Sequence, residues 1–179
     1  MPKFLLLAIP LILLNYSCKK KTNEDQPQLP PETQTGAMTF GCKVNGKVFV
    51  PRDGNGKPGL YVQYVNLGNV PDGGWHLNIP AYNYATKRGV SIETDSLLLV
   101  EGKNYEFKRL KGYPLTWYEE SVNGSTVIYG KLDANSGSLL IKKHDPSQRI
   151  ISGTFQFVGT NVSTGETITV TDGRFDIIY

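Results

Sequence analysis

Histidine is scarce in this 179-residue chain, and its two copies, His76 and His144, share no metal-ligand spacing with each other, a cysteine or a carboxylate. No serine sits in a G-x-S-x-G elbow and no H-E-x-x-H occurs. Neither a cofactor nor a metal is implied. Also missing is any window that holds a 3.6-residue apolar period between start and stop signals, so helix is a minor part of the expected structure. The best helical stretch is a short turn in D-S-L-L-L-V-E-G-K, residues 95–103, and even that could be strand. Charge of one sign is lacking too. Four of the 19 basic residues and three of the 16 acidic ones precede Met38, which leaves 15 against 13 in the remainder. A nucleic-acid binder carries a clustered basic face; the densest group here is Lys108-Arg109-Leu110-Lys111, a short run of the usual solvated kind. No nucleic-acid partner is expected.

What is present begins with an apolar run, Phe4 to Leu14, preceded by Lys3. It falls well short of the roughly 20 residues of a spanning helix, and its basic start and small terminal residue describe an export signal. The run ends in L-L-N-Y-S-C-K-K, residues 13–20. This resembles the lipobox of bacterial lipoproteins, in the looser form found in the Bacteroidota, with Asn15 where an aliphatic residue is usual. The resemblance implies removal of residues 1–17, a lipid on Cys18, and attachment to the membrane through that lipid. The expected location is the cell envelope, as an outer-membrane lipoprotein. Acyl chains hold a protein through about 0.8 kcal/mol per buried methylene, so no other segment need touch the bilayer.

Residues 18–37 then read as the lipidated cysteine and a flexible tether: K-K-K-T-N-E-D-Q-P-Q-L-P-P-E-T-Q-T-G-A has one aliphatic side chain before its last residue and three prolines. Residues 38–179 are one domain. With Cys18 lipidated, Cys42 has no disulfide partner and is read as a small core residue, sharing one strand face with Phe40 and Val44 while Gly41 and Lys43 take the other.

The domain reads as all-β. T-F-G-C-K-V-N-G-K-V-F-V-P is a hairpin with Asn45-Gly46 as its tight turn and Pro51 as its stop. Further strand-like runs follow, among them W-H-L-N-I-P-A-Y-N-Y, in which Trp75, Leu77 and Ile79 oppose His76 and Asn78. Near the C-terminus Ile151, Phe155 and Phe157 face the core on one arm and Ile168 and Val170 on the other, and Phe175, Ile177 and Tyr179 continue the pattern after an Asp172-Gly173 turn. Nine or ten short strands predict an antiparallel sandwich or a closed barrel. The segments S-G-T-F-Q-F, T-G-E and T-D-G-R-F-D resemble a family of uncharacterised Bacteroidota lipoproteins over most of residues 38–179. That resemblance implies a secreted β domain and carries no activity.

Candidate chemistry is sparse. Asp95, Glu119, Glu120 and Asp133 are the carboxylates that a fold would have to bring together for a hydrolase. Asp53–Lys57 and Asp133–Gly137 have fragments of a calcium loop, but an EF-hand's twelfth position holds Glu and here would hold Tyr64 and His144; such residues also make turns without an ion. Asp95-Ser96-Leu97 resembles a Bacteroidota O-glycosylation site, which would modify Ser96. The remaining lead is Y-P-L-T-W-Y-E-E-S, residues 113–121, where Tyr113, Trp117 and Tyr118 stand near two glutamates outside any clean alternation. Aromatic platforms beside carboxylates suit sugars, and aromatic anchors dominate protein interfaces. The expectation is a non-catalytic binding domain for a glycan, peptide or partner protein. The alternatives are a structural subunit of an envelope complex and, third, a hydrolase.

Overall fold

The computed structural model describes residues 27–179 except positions 70, 72, 131 and 133–135. The export signal, Cys18 and Asp133 lie outside the described residues. Eleven strands are present: β1 (Thr39–Val44), β2 (Lys47–Phe49), β3 (Gln63–Asn66), β4 (Trp75–Asn83), β5 (Arg88–Thr94), β6 (Asn104–Glu106), β7 (Pro114–Val122), β8 (Ser125–Tyr129), β9 (Gly137–Asp145), β10 (Ile150–Thr160) and β11 (Thr167–Ile178). They form a larger sheet ordered β2-β1-β11-β10-β9-β6 and a smaller one ordered β3-β4-β5-β7-β8, every pairing antiparallel. The two pack as a sandwich that does not close into a barrel.

Alternation builds the core. Phe40 and Cys42 from β1, Leu77, Ile79 and Ala81 from β4, Leu139 and Ile141 from β9, and Phe155 and Phe157 from β10 meet between the sheets, each at most 3% exposed. Edge strand β3 lies over one end of the larger sheet, where the Tyr64 ring meets Tyr179 at 5.1 Å. Edge strand β8 lies over the other end, where the Tyr129 carbonyl oxygen stands 2.5 Å from where a Cβ of Gly159 would be. The smaller sheet's strands are therefore laid across those of the larger one. The Asn45-Gly46 turn has φ of 47° and 77°, as its tight geometry requires.

Three sequence expectations are corrected. Asp172-Gly173 is not a turn: β11 runs through it as one strand, with a bulge where Asp172 takes φ 52° and Gly173 lets the Phe155 ring and carbonyl come closer than a Cβ would allow. Residues 95–103 are not helical, because their amides bond outward: Leu97 N–H donates to the Trp75 carbonyl, Leu99 N–H to the Tyr64 hydroxyl and Val100 N–H to the Tyr105 hydroxyl. Most informative is 114–122, which showed no apolar alternation and yet is strand β7. Its inward residues are Pro114, Thr116, Tyr118 and Glu120, so burial alternates where hydropathy does not. The Thr116 hydroxyl is satisfied by donating to the Ser91 carbonyl at 2.7 Å.

The described part of the expected tether, residues 27–37, lies against the outer face of the larger sheet. Asp176 on β11 is 1% exposed. Its carboxylate accepts from the Thr33 hydroxyl at 2.7 Å and from the backbone N–H groups of Thr35, Gly36 and Ala37 at 2.9, 2.8 and 3.2 Å. Gly36 (φ 74°) sits where a Cβ would be 2.5 Å from Ile178. Lower down, Glu32 pairs with Lys142, and Pro30 covers Gly41, whose own Cβ would lie 2.6 Å from the proline ring. Proline loses nothing here, since it has no N–H to satisfy on a sheet face.

Burial acts to raise the Asp176 carboxyl, and the hydrogen bonds from the strap outweigh it, leaving the group below its ordinary value. The stabilisation it supplies is thus complete above the unfolded value of about 3.9 and is lost as pH falls through the lower folded one. Asp176→Ala should cost about 2 kcal/mol or more, since hydrogen bonds to a charged group contribute about 1.5–3 kcal/mol, and should open residues 29–37 to protease at neutral pH. Unchanged melting together with a protease-resistant strap would refute the latch. Cys42 is fully buried and its thiol is pushed up to about 12 by desolvation, so it should resist thiol reagents at pH 8 until denaturant is added; rapid labelling of the native chain would contradict this register.

Candidate functional site

Strand β7 divides the residues that the sequence grouped. Leu115, Trp117, Glu119 and Ser121 point out from the smaller sheet, and Tyr118 and Glu120 point in. Glu119 and Glu120 are on opposite faces, and Asp95 lies beyond the far end of β5, 3.7 Å from His76. The three described carboxylates therefore do not converge. Tyr113 is in the loop before β7, its ring under the Lys108 ammonium at 4.7 Å.

On the outer face, cross-strand neighbours align Pro80, Ser91 and Trp117, and beside them Tyr82, Gly89, Glu119 and Ile128. Central strand β5 contributes its smallest residues to these rows, so its neighbours lean over it. A Cβ on Gly89 would stand 2.9 Å from the Tyr82 ring and 3.0 Å from a Glu119 carboxylate oxygen. Tyr84 meets Tyr82 edge to face at 4.8 Å between centroids and packs over Gly54. Tyr82, Tyr84, Glu119, Lys87 and Asn55 line an open groove. Partial burial, then the Glu119 charge and then Tyr84, raise the Tyr82 phenol, so it stays a neutral hydrogen-bond donor. The sequence reading missed Tyr82, Tyr84 and Lys87; the signal was Y-N-Y at the end of β4, whose aromatics share one side of the sheet edge with Glu119.

The inward pair does different work. Tyr118, 2% exposed, donates from its hydroxyl to Glu120 Oε2 at 2.9 Å, and Arg88 Nε lies 3.4 Å from the same oxygen. Burial and then this bond raise the Tyr118 phenol. The trio lines a cleft of about 280 Å³ with Val44, Phe49 and Ile168, at the corner where Pro27 also arrives. This charge is neutralised within the fold, so Tyr118 is a core residue rather than part of a platform.

The other candidates have the following surroundings. Asp53 Oδ1 accepts from Gly59 N–H at 2.7 Å, and Gly54 and Lys57 exchange backbone hydrogen bonds around Asn55-Gly56, which makes this stretch a tight turn. Only part of the second calcium-like loop is described, and no group of metal-ligating side chains occurs among the described residues. His144 Nδ1 lies 2.9 Å from the Leu99 carbonyl and its ring abuts Tyr64 at 5.4 Å, a packing role. Ser96 (φ 53°) donates its hydroxyl to the Gly73 carbonyl at 2.5 Å and contacts Asp95 at 3.0 Å. Comparison with protein-family models, curated proteins and solved structures gives no match. The fold and site together define an antiparallel two-sheet sandwich with an aromatic groove on one outer face.

If Tyr118 and Glu120 serve the fold, Tyr118→Phe should lower stability by about 0.5–1.5 kcal/mol, the usual net contribution of one hydrogen bond, or somewhat more for a charged acceptor. Thermal melting checks this. A variant as stable as the parent would show that the bond contributes nothing.

Proposed function

We propose that this chain is a membrane-tethered lipoprotein of the cell envelope whose sandwich binds a saccharide, without turning it over, on the outer face of the smaller sheet. The observation that carries the reading is the grouping of Tyr82 and Tyr84 with Glu119, Lys87 and Asn55 in one open groove, with Trp117 two residues from Glu119 on the same face. Aromatic faces stack on the apolar face of a sugar ring, and a carboxylate, an ammonium and an amide beside them match its hydroxyls. An open groove on a rigid sheet suits a chain of sugars better than a single small molecule. A second reading, a subunit that binds a partner protein, is favoured by the exposed Leu67, Leu98, Val100 and Leu110, each 48–62% exposed, in the loops at the other end of the smaller sheet.

Titration of the mature chain against a panel of soluble polysaccharides tests the first reading. Trp117→Ala and Glu119→Gln should each weaken binding by about 1–3 kcal/mol, roughly 5- to 150-fold, with the melting temperature retained. Loss of the fold on Trp117→Ala would make that ring a structural cover. Turnover of the polysaccharide, abolished by one carboxylate change, would replace binding with catalysis.

A further inference from the structure

The strap does more than cover a sheet: it turns the chain round. Strand β1 starts at Thr39, at the end of the larger sheet marked by Ile178 and Ile150. From there, read backwards, the strap passes Gly36 against Ile178 and Ile150, Thr33 on Asp176, Glu32 on Lys142 and Pro30 on Gly41. It arrives at Pro27 in the cleft beside Val44, Asn45 and Lys47. Residues 27–38 thus run antiparallel to their own continuation, and Pro27 lies at the end of the sheet opposite to the one where β1 begins.

We propose that this reversal orients the lipidated protein, seating the Pro27 corner of the sandwich on the headgroup surface of an anionic bilayer. The proposal rests on lipidation of Cys18. Cys18 and Pro27 are nine peptide steps apart, a reach of at most about 30 Å at roughly 3.5 Å per residue. A folded unit of about 150 residues is about 40 Å across, from a radius of gyration near 15 Å. The tether is too short to pass around it. Without the strap the reach would be measured from Met38, twenty steps from Cys18 and about 70 Å, and any face could meet the membrane.

The corner is suited to that neighbour. The Asn45-Gly46 turn hydrogen-bonds to the β10–β11 arm through Asn45 N–H and the Thr169 carbonyl at 2.8 Å. At the tip of that arm Val162 is 77% exposed, the highest exposure of any large apolar side chain among those described. Lys47 is exposed beside the turn, and Lys19, Lys20 and Lys21 adjoin the anchor itself. Lysines are attracted to a negatively charged leaflet, and one apolar tip adds interfacial area. The opposite loops, with Leu110 and Leu98, then face away from the membrane.

The test uses the mature lipidated chain in vesicles of phosphatidylcholine and phosphatidylglycerol that contain a headgroup-nitroxide lipid. A fluorophore is placed at Ser163→Cys or at Leu110→Cys; the buried Cys42 does not label. Quenching at position 163 should exceed that at position 110 at least threefold. Equal quenching, or more at 110, overturns the orientation. Protein that does not float with the vesicles overturns the lipidation reading, and the orientation with it. A twenty-residue Gly-Ser insert between positions 26 and 27 leaves the strap and domain intact and should bring the ratio close to one; a ratio that persists would overturn the role given to the short tether.

Discussion

A carboxylate taken almost wholly out of water must be satisfied by the protein, and Asp176 is satisfied by a segment 139 to 143 residues earlier in the chain. That constraint organises one whole side of the molecule. Removing the strap would leave an ion on a sheet face beside Ile150 and Ile178; removing the ion would leave three strap N–H groups without their acceptor. Beyond Leu29 and Pro30, which pack over Gly41, the strap has little apolar surface, so its part near Asp176 is held by an anionic acceptor rather than by burial. Prolines in its lower part shorten the list of groups that need partners. Polar bonding near Asp176 and proline packing over Gly41 divide the work along its length.

The two outer faces consequently differ. Part of the larger sheet's outer face is occupied by the chain itself, and beside it Lys43 pairs with Asp172 at 3.0 Å, an ion pair exposed enough to contribute little to stability. The smaller sheet's outer face has no such cover. There, small residues on β5 let Tyr82 and Glu119 lean inward, and the aromatics end half-buried with one side free. A glycine in a strand interior weakens the strand, and here the ring stacked over it offsets part of that loss while shaping the groove.

Much of the fold was legible from period-two patterning. Phe40 and Cys42, Leu77 and Ile79, and Phe155 and Phe157 all face the core as their alternation predicts. The hairpin at Asn45-Gly46 follows from turn chemistry alone. Strand β7 was not legible, because its inward positions are a proline, a threonine bonded to a backbone carbonyl, a tyrosine and a glutamate paired with that tyrosine and Arg88. Hydropathy cannot see burial that is made tolerable by hydrogen bonds. The same blindness misplaced Tyr118 beside Trp117: adjacent residues in a strand face opposite ways, so only one of the two can join a surface platform. The strap escaped for a related reason, since its anchor is a single charge distant in sequence. Tyr82 and Tyr84 were visible as letters, but their partnership with Glu119 required the pairing of β4 with β5 and of β5 with β7.

The division of labour between the faces bears on how a tethered binder would work. A domain on a long free linker samples every orientation, and a ligand face then spends part of its time against the bilayer. Under the proposed lipidation, the strap would take up residues that otherwise lengthen the linker, and the linker would join the domain at the Pro27 corner. The groove opens on the outer face of the smaller sheet, which is the face turned away from the strap across the core. If the Pro27 corner meets the lipid as proposed, that face would stand upright beside the membrane rather than pressed to it, open to a polymer running along the surface. The groove residue Lys87 belongs to the β4–β5 connection, close to the same corner through Thr86 and Arg88. The site proposed for saccharide would thus sit low on the domain, near the bilayer, while the exposed leucines of the opposite loops point outward to where a second protein could approach.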